Sequence, residues 1–190
     1  MSVAAVVLAA GASRRLGRPK QTVEINGESL VARAVRIAHE AGLNPVIAVL
    51  ADETLAESLQ ARGASVRLNP NASEGIASSI RVGIDAARSF DVSGAVVMTC
   101  DQVAVTANHL RALCAQPEST TGSAYAGAIG VPAYFPATDF EGLLQLHGDH
   151  GARGLLHHAR TIHNPALHHD IDTETDVERA SQLLENKQLS

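Results

Sequence analysis

The stretch that decides the fold runs from residue 3 to residue 20 and reads VAAVVLAAGASRRLGRPK. Its first part, Val3–Ala10, is a continuous apolar run that ends at Gly11. A short apolar run without polar alternation is typical of a strand buried on both faces of a parallel sheet. The second part, Gly11–Lys20, predicts a loop rich in glycine and arginine at the carboxyl end of that strand.

Further along the chain, apolar strand patterns alternate with helical patterns. Strands are predicted at 45–50, 64–68 and 94–100, and helices at 29–41, 53–62, 75–88 and 107–115. This alternation is typical of βαβ units, so we predict a Rossmann-like α/β fold with a mostly parallel sheet and helices on both faces. Beyond residue 115 the pattern is less regular, with strands expected within 122–136 and helices at 151–159 and 175–185.

Composition limits the class of protein. The chain has 190 residues, 45% of them hydrophobic, and a net charge of −5, which fits one globular domain spanning 1–190. The negative charge disfavours a nucleic-acid partner, and no apolar run is long enough for a membrane span. With only two cysteines, Cys100 and Cys114, and no signal peptide pattern, we expect a cytoplasmic protein.

The loop after the first strand concentrates positive charge. Four cations lie within seven residues: Arg14, Arg15, Arg18 and Lys20. Flexible cations beside the backbone amides of a glycine loop suit a polyphosphate. The segment matches neither the dinucleotide fingerprint nor the P-loop. The alternative is a solvated basic turn.

Two aspartates are candidate ligands of a divalent cation. Asp101 directly follows the strand at 94–100, and Asp172 follows a short possible strand at 168–171. Mg²⁺ is commonly held by one or two carboxylates together with phosphates and waters. Alternatively, Asp101 is a turn or helix-capping residue and Asp172 caps the last helix, with Asp170 and Asp176 as competing ligands.

Other residues carry weaker signals. Gly75–Ser79 opens a helix whose backbone amides could face an anion or the edge of a base, and Ser78 or Ser79 could form hydrogen bonds with the base or the ribose. The alternative is that these small residues serve only for packing. Seven histidines after residue 146 make a zinc site conceivable, although their spacing matches no known ligand set. A catalytic Cys100 thiol or a Ser13 nucleophile lacks an identifiable base.

Five segments resemble the molybdenum cofactor nucleotidyltransferases, and specifically their cytidylyltransferase (MocA-like) branch. They are Leu8–Lys20 (LAAGxSxRxGxxK), Asn69–Ser79 (NPxxxxGxxSS), Asp101-Gln102, Gly148–Arg153 (GDxGAR) and Asp170–Asp176 (DIDTxxD). The sequence departs from this pattern in two places. Val103 stands where the family usually has proline after Asp-Gln, and Ala72 stands where it often has an aromatic residue.

The resemblance implies a GT-A-like nucleotidyltransferase domain and a role for each motif. Arg14, Lys20 and Asp101 would be catalytic, and Asp101 and Asp172 would bind Mg²⁺. Gln102, Asp149 and Arg153 would face the pterin substrate. The nucleotide-binding residues would be Leu8, Ala9, Ala10, Gly11, Lys20, Asn69, Gly75, Ser78 and Ser79.

The reaction implied by the resemblance is transfer of CMP from CTP to the terminal phosphate of molybdopterin, with or without bound molybdenum. The Ala9-Ala10-Gly11 sequence goes with cytosine nucleotides in this family, whereas Ala-Gly-Gly goes with guanine nucleotides. A molybdenum hydroxylase would be the recipient of the product. The alternatives are transfer from GTP, another phosphorylated acceptor, and a non-catalytic chaperone for the cofactor.

Overall fold

The structure is a computed structural model that describes residues 2–11, 13 and 15–188. The strands are β1 (Ser2–Ala9), β2 (Glu24–Ile25), β3 (Glu28–Ser29), β4 (Val46–Leu50), β5 (Ser65–Leu68), β6 (Val92–Thr99), β7 (Thr121–Tyr125), β8 (Ala128–Pro136) and β9 (Arg160–His163). The helices are α1 (Leu30–Glu40), α2 (Ala56–Ala61), α3 (Ile76–Arg88), α4 (Ala107–Leu113), α5 (Phe140–Leu144) and α6 (Glu174–Gln188).

Seven strands form one twisted sheet in the order β5-β4-β1-β6-β8-β7-β9. The first four of these pair in parallel, β8 runs antiparallel to β6, β7 is antiparallel to β8, and β9 is parallel to β7. The predicted α/β class with a mostly parallel sheet is therefore confirmed. The parallel half, with β1 at its centre, directs the carboxyl ends of β1, β4, β5 and β6 to one edge, where such sheets bind ligands.

Both faces of the sheet are buried, as the apolar run of β1 predicts. Ala5 and Val7 pack with α1 and α4 on one face. Ala4 and Val6 point the opposite way and pack with α3 and α5. Side chains alternate along a strand, so a strand that is apolar at every position is covered by helices on both sides.

A third apolar cluster lies outside the sheet. Helix α6 contributes Ala180, which packs with Ile25 of the β2–β3 hairpin and with Leu16 of the Gly11–Lys20 loop. Val103 is 4% exposed and belongs to the same cluster. The cluster therefore anchors both the basic loop and the segment after Asp101 to the last helix.

Two expectations about the carboxyl-terminal part are wrong. The predicted helix at 151–159 is a single 3₁₀ turn, Arg153–Leu156, followed by strand β9. Gly151 has a positive φ of 56° and Gly154 adds backbone freedom, so a longer helix is disfavoured. The possible strand at 168–171 is a 3₁₀ turn, Pro165–His168, and then one bridge between Asp170 and Gln102.

In the part of the chain that the structure describes, no helix combines the length and the apolar character that crossing a bilayer requires.

Candidate active site

A cavity of about 490 Å³ opens where β1 and β6 end. It is lined by the carboxyl end of β1, the basic loop, the start of α3, the end of β6, and residues from two distant segments near 149 and 172. The predicted site residues that line it are Leu8, Ala9, Ala10, Gly11, Lys20, Gly75, Ser79, Asp101, Asp149 and Asp172. The sequence motifs thus converge on one cavity, although they span more than 160 residues of the chain.

Eight further residues line the cavity without having been predicted as site residues. They are Ser13, Arg15, Gln21, Ala72, Ser73, Ile76, Thr99 and Cys100. Ser13 and Arg15 lie inside the quoted loop motif, so the motif itself was a sufficient signal for them. Ala72 is one of the two positions at which the sequence departs from the pattern that it resembles. Nothing in the sequence pattern marks Gln21, Ser73 or Thr99.

Ser13 shapes the basic loop. Its hydroxyl accepts a hydrogen bond from the backbone N–H of Lys20 at 2.8 Å, and its carbonyl accepts one from the Leu16 amide at 3.2 Å. The residue has a φ of 48°, which is uncommon for a residue other than glycine. Ser13 therefore closes the loop upon itself and holds the start of the Lys20 side chain at the cavity.

Lys20 lies between two carboxylates. Its ammonium nitrogen is 3.1 Å from Asp101 Oδ2, and it also forms a hydrogen-bonded ion pair with Asp172 Oδ1. Burial lowers the pKa of Lys20, but the hydrogen bonds and charges of Asp172 and Asp101 together outweigh burial and raise it above its usual value. Lys20 is therefore a cation at neutral pH, and both carboxylates point at one place.

The geometry distinguishes the three aspartates of the carboxyl-terminal motif. Asp172 shares Lys20 with Asp101 and is also 3.1 Å from the Arg15 guanidinium. Asp176 instead accepts hydrogen bonds from the amides of residues 172 and 173, the latter at 2.8 Å, in the manner of a capping residue. The hydrogen bond from Lys20 holds the pKa of Asp172 below its usual value, so Asp172 is ionised at neutral pH.

Asp170 lies at the same edge of the sheet but is paired differently. Although it is exposed, desolvation by the surrounding chain, followed by the charge of Asp101, raises its pKa to about 6. Its backbone bridges to Gln102. Asp170 therefore adds negative charge beside Asp101 without taking part in the Lys20 ion pair.

The start of α3 is held by a buried polar network. The Asn69 side-chain amide donates to Ser78 Oγ at 2.8 Å and to Ser79 Oγ at 2.9 Å. Its carbonyl oxygen accepts from the Asn71 amide at 3.1 Å. Of these, only Ser79 lines the cavity, whereas Asn69 and Ser78 support the helix from behind it. Nucleotide contact by Asn69 and Ser78 stays a prediction.

Three other predicted residues lie away from the cavity lining or outside the described residues. The Gln102 amide is buried and donates to the Tyr125 hydroxyl at 3.1 Å and the Leu167 carbonyl at 3.3 Å, so it joins β7 to the 165–168 turn. Arg153 is exposed on the 3₁₀ turn. Arg14 lies outside the residues that the structure describes.

The alternative chemistries considered for the site find little support. Burial, followed by the charge of Asp101, raises the pKa of the Cys100 thiol far above its usual range, so the thiol is not poised as a nucleophile. Among the described residues, no group of three or more His, Cys, Asp or Glu side chains is arranged to hold a metal ion. A histidine zinc site is therefore not formed by the described residues.

The Asp101 and Asp172 pair nevertheless fits a divalent cation of another kind. Two carboxylates that converge on one ammonium offer hard oxygen ligands around a single position. Mg²⁺ retains waters and is typically bound by one or two carboxylates plus substrate phosphates, so a full protein ligand set is not required. Lys20 and Arg15 supply positive charge beside this position for those phosphates.

Comparison with known proteins gives the class. Residues 5–164 match the family described as MobA-like NTP transferase domain, and the chain belongs to this family. The protein is therefore a nucleotidyltransferase by family, in agreement with its fold.

Two curated relatives have names that refer to metabolic roles. The chain is similar to the purine catabolism protein PucB of Bacillus subtilis, with 34% identity over 163 residues, covering 80% of this chain and 78% of that protein. A shorter match of 48 residues, 48% identical, covers 25% of this chain and 24% of a protein of Opitutus terrae named "Probable molybdenum cofactor guanylyltransferase". These matches support the family and leave the CTP branch unconfirmed.

Solved structures agree with the fold. Rv0371c of Mycobacterium tuberculosis is 30% identical, with a TM-score of 0.76 and coverage of 96% of this chain and 99% of that one. A second structure of Rv0371c, at 27% identity and a TM-score of 0.73 over 96% and 98% of the two chains, is a complex with manganese. A nucleotidyl transferase of Methanothermobacter thermautotroptrophicus, at 22% identity, has a TM-score of 0.83 over 98% and 99% of the chains and shows the same fold.

Proposed function

We propose that this protein transfers CMP from CTP to the terminal phosphate of molybdopterin, with or without bound molybdenum, and releases pyrophosphate. The observation that carries the proposal is the meeting of Lys20, Asp101 and Asp172 in the cavity beside the Gly11 loop. Polyphosphate needs cations and backbone amides, and a phosphate-bound divalent ion needs carboxylates. The cavity offers both within one site.

In the proposed reaction, an oxygen of the acceptor phosphate forms a bond to the α-phosphorus of CTP. The bond from that phosphorus to the oxygen bridging to the β-phosphate breaks, and pyrophosphate leaves with the electron pair. The acceptor is already an anion, so no strong general base is required. Catalysis then consists mainly of positioning and charge neutralisation.

Each side chain has a role that follows from its place in the cavity. Lys20 would offset charge on the leaving pyrophosphate once its ammonium turns from the carboxylates to the nucleotide, and Arg15 lies close enough to assist. Asp101 and Asp172 would hold Mg²⁺, which supplies Lewis acidity at the phosphate oxygens when it is bound. The Gly11 loop, closed by Ser13, would wrap the triphosphate. Arg14 belongs to this loop and remains a predicted phosphate ligand.

The choice of CTP rests on the Ala9-Ala10-Gly11 sequence and the other motifs of the cytidylyltransferase branch. One observation favours GTP instead, namely the 48% identity over 48 residues with the Opitutus terrae protein named for guanylyl transfer. Ala72 adds no aromatic surface on which either base could stack. A molybdenum hydroxylase that receives the product remains a prediction.

A thermal-shift panel distinguishes transfer from CTP from transfer from GTP. CTP, GTP, ATP and UTP are each added with and without Mg²⁺, since a ligand that binds the native state raises the melting temperature by mass action. A Mg²⁺-dependent shift with CTP alone supports cytidylyl transfer, and a preference for GTP moves the proposal to guanylyl transfer. Tight pterin binding without pyrophosphate release would instead indicate a cofactor chaperone.

A turnover assay then tests the named residues. With CTP and molybdopterin, we expect Lys20→Ala and Asp101→Ala each to lower pyrophosphate release at least ~10²-fold with the fold intact, because each removes charge stabilisation from the transition state. Arg88→Ala and Asp85→Asn are matched controls, since both residues are charged, exposed and outside the cavity lining. Near-normal turnover of either site variant would remove that residue from the mechanism.

A further inference from the structure

The segment that follows α5 folds back onto the first turns of α3. The Gly148 carbonyl accepts a hydrogen bond from the Ala77 amide at 3.1 Å. A Cβ atom at Gly75 would lie 2.6 Å from the Gly148 carbonyl and would also collide with the Asp149 carboxylate. The backbone of the segment therefore lies directly against the helix start, and Asp149 is brought into the cavity lining.

Arg81 connects this segment to the same helix. Its Nη1 donates to the Leu146 carbonyl at 2.6 Å, and its Nη2 is 3.3 Å from the Glu74 carboxylate. Leu146 precedes Asp149 by three residues, and Glu74 precedes Gly75 by one. One guanidinium thus joins the two segments that meet at Gly75 and Gly148–Asp149. The Arg81 side chain is only 29% exposed.

We propose that Arg81 is a positioning residue that holds residues 146–151 against α3 and so fixes the Asp149 carboxylate in the cavity. A charge-assisted hydrogen bond to a carbonyl is among the stronger protein hydrogen bonds. The Arg81–Leu146 bond is the direct polar tie from the α3 side chains to the beginning of this segment. Without it, the Gly148–Ala77 hydrogen bond and the apolar packing of Leu146 and Ala152 remain between the segment and the helix.

The chemistry of Asp149 indicates the kind of group it would meet. Lys20 and Arg15 suit the phosphates, whereas a carboxylate repels phosphate and accepts N–H hydrogen bonds. Asp149 would therefore accept from the N–H groups of a heterocycle. Both the amino group of a nucleobase and that of a pterin have this chemistry. This part of the inference rests on the proposed function, while the positioning role of Arg81 does not.

The first experiment compares Arg81→Gln with Arg88→Gln in full-length protein. Arg88 is the matched control, because it lies on the same helix and has its own surface ion pair, 3.6 Å from Glu141, without contacting residues 146–151. We expect Arg81→Gln to speed backbone amide exchange across residues 146–151 and 75–78 at least about 10-fold, since local opening becomes easier. Arg88→Gln should leave both segments as in the wild type. Arg81→Lys is an intermediate variant in case the glutamine variant unfolds.

The second experiment is a double-mutant cycle with Asp149→Asn. We expect Arg81→Gln to raise the dissociation constant for CTP, or KM for the pterin, about 10-fold, and to add no further loss in the Asp149→Asn background. A loss seen with CTP but not with UTP places the N–H donor on the nucleobase. A loss confined to the pterin KM places it on the acceptor.

Three results would overturn the inference. One is amide exchange in Arg81→Gln equal to that in Arg88→Gln. Another is an affinity loss that remains at full size in the Asp149→Asn background, which would mean that Arg81 does not act through Asp149. The third is unchanged affinity for every substrate. A wild-type protein that binds no nucleotide would instead contradict the proposed function, and the exchange experiment would still decide the role of Arg81.

Discussion

At the scale of single residues, the position of Lys20 has a consequence for metal binding. Its ammonium is bonded to both carboxylates that would hold Mg²⁺. The free protein therefore contains an internal cation that competes with the metal ion. Metal binding and phosphate binding are expected to assist each other, because a metal on the carboxylates releases Lys20 for the nucleotide.

We predict that Lys20→Met binds Mn²⁺ more tightly than the wild type in the absence of nucleotide. The change removes the competing charge while keeping the apolar stem, and the expected gain is roughly 10-fold, about 1.4 kcal/mol. The same variant should bind the nucleotide more weakly. Titration of free Mn²⁺ by electron paramagnetic resonance measures the first effect.

The control for this titration is Arg18→Met. Arg18 belongs to the same loop but pairs with Glu174 at 2.9 Å, and it contacts neither Asp101 nor Asp172. Its Mn²⁺ affinity should equal that of the wild type. Equal or weaker Mn²⁺ binding by Lys20→Met would show that Lys20 does not compete with the metal.

At the scale of elements, the junction between α3 and the 146–151 segment depends on Gly75. Its backbone, at φ 108° and ψ 173°, occupies a region that is almost exclusive to glycine. We predict that Gly75→Ala lowers the free energy of unfolding by more than ~2 kcal/mol, since strain and overlap with Gly148 and Asp149 combine. Urea denaturation measures this loss.

Gly127→Ala separates the two contributions. Gly127, in the turn between β7 and β8, has a φ of 75° but open space where a Cβ would stand. The Gly127→Ala variant should lower the free energy of unfolding by the backbone strain alone, roughly 1 kcal/mol. Equal losses for the two variants would mean that the contact with the 146–151 segment contributes little.

A second junction, between α4 and β7, predicts a pH dependence of stability. His109 lies 2.8 Å from the Ser123 hydroxyl, which donates to the Pro132 carbonyl and so accepts from the His109 ring. Burial lowers the pKa of His109, so the folded protein keeps the ring neutral where the unfolded chain, with a pKa near 6.5, takes up a proton. The free energy of unfolding should therefore fall as pH drops below about 6.5.

The variant His109→Gln tests whether His109 causes this loss of stability at low pH. Glutamine keeps an N–H donor for Ser123 and does not titrate, so its stability should depend less on pH between 7.5 and 5.5. Urea denaturation at several pH values provides the comparison. Parallel pH profiles for the variant and the wild type would show that His109 does not contribute to the dependence.

At the scale of the whole molecule, the site combines segments that are distant in sequence. We predict that Mn²⁺ with CTP slows amide exchange in three regions together, namely the loop at 15–20, the segment 146–151 and residues 170–173. A bound ligand that contacts all three stabilises them against local opening. Protection limited to the first loop would mean that the other two segments do not contact the nucleotide. Mn²⁺ alone is the control.

The sequence predicted the parallel half of the sheet because β4 is apolar at every position, β1 is apolar from Val3 onward, and α1 and α3 have clear 3.6-residue spacing. It did not predict that β8 pairs antiparallel with β6. A short apolar run such as Ala133–Pro136 has the same pattern in a parallel and in an antiparallel strand. The prediction of a helix at 151–159 was wrong because apolar spacing takes account neither of the backbone freedom of the glycines nor of the pairing of β9 with β7.

The candidate site was predictable to a similar degree. Glycine, lysine and aspartate motifs placed the Gly11 loop, Lys20 and Asp101 correctly at one edge of the sheet. Spacing alone could not tell Asp172 from Asp176, because both fit a capping pattern, and only the hydrogen bonds show which one caps. Similarly, Asn69 and Ser79 belong to one motif, but Ser79 lines the cavity whereas Asn69 is buried behind it.

The ion pairs that tie the basic loop to the last helix also set an order of events during synthesis. Lys20 and Asp172 are separated by 152 positions. At a ribosomal rate of about 5–20 residues per second, Lys20 exists for roughly 8–30 s before Asp172 is made. For the first 81 of these positions the nascent chain has the basic loop and neither carboxylate, and from Asp101 onward it has one of the two. The growing polypeptide therefore cannot assemble the complete charge arrangement until residue 172 has been translated.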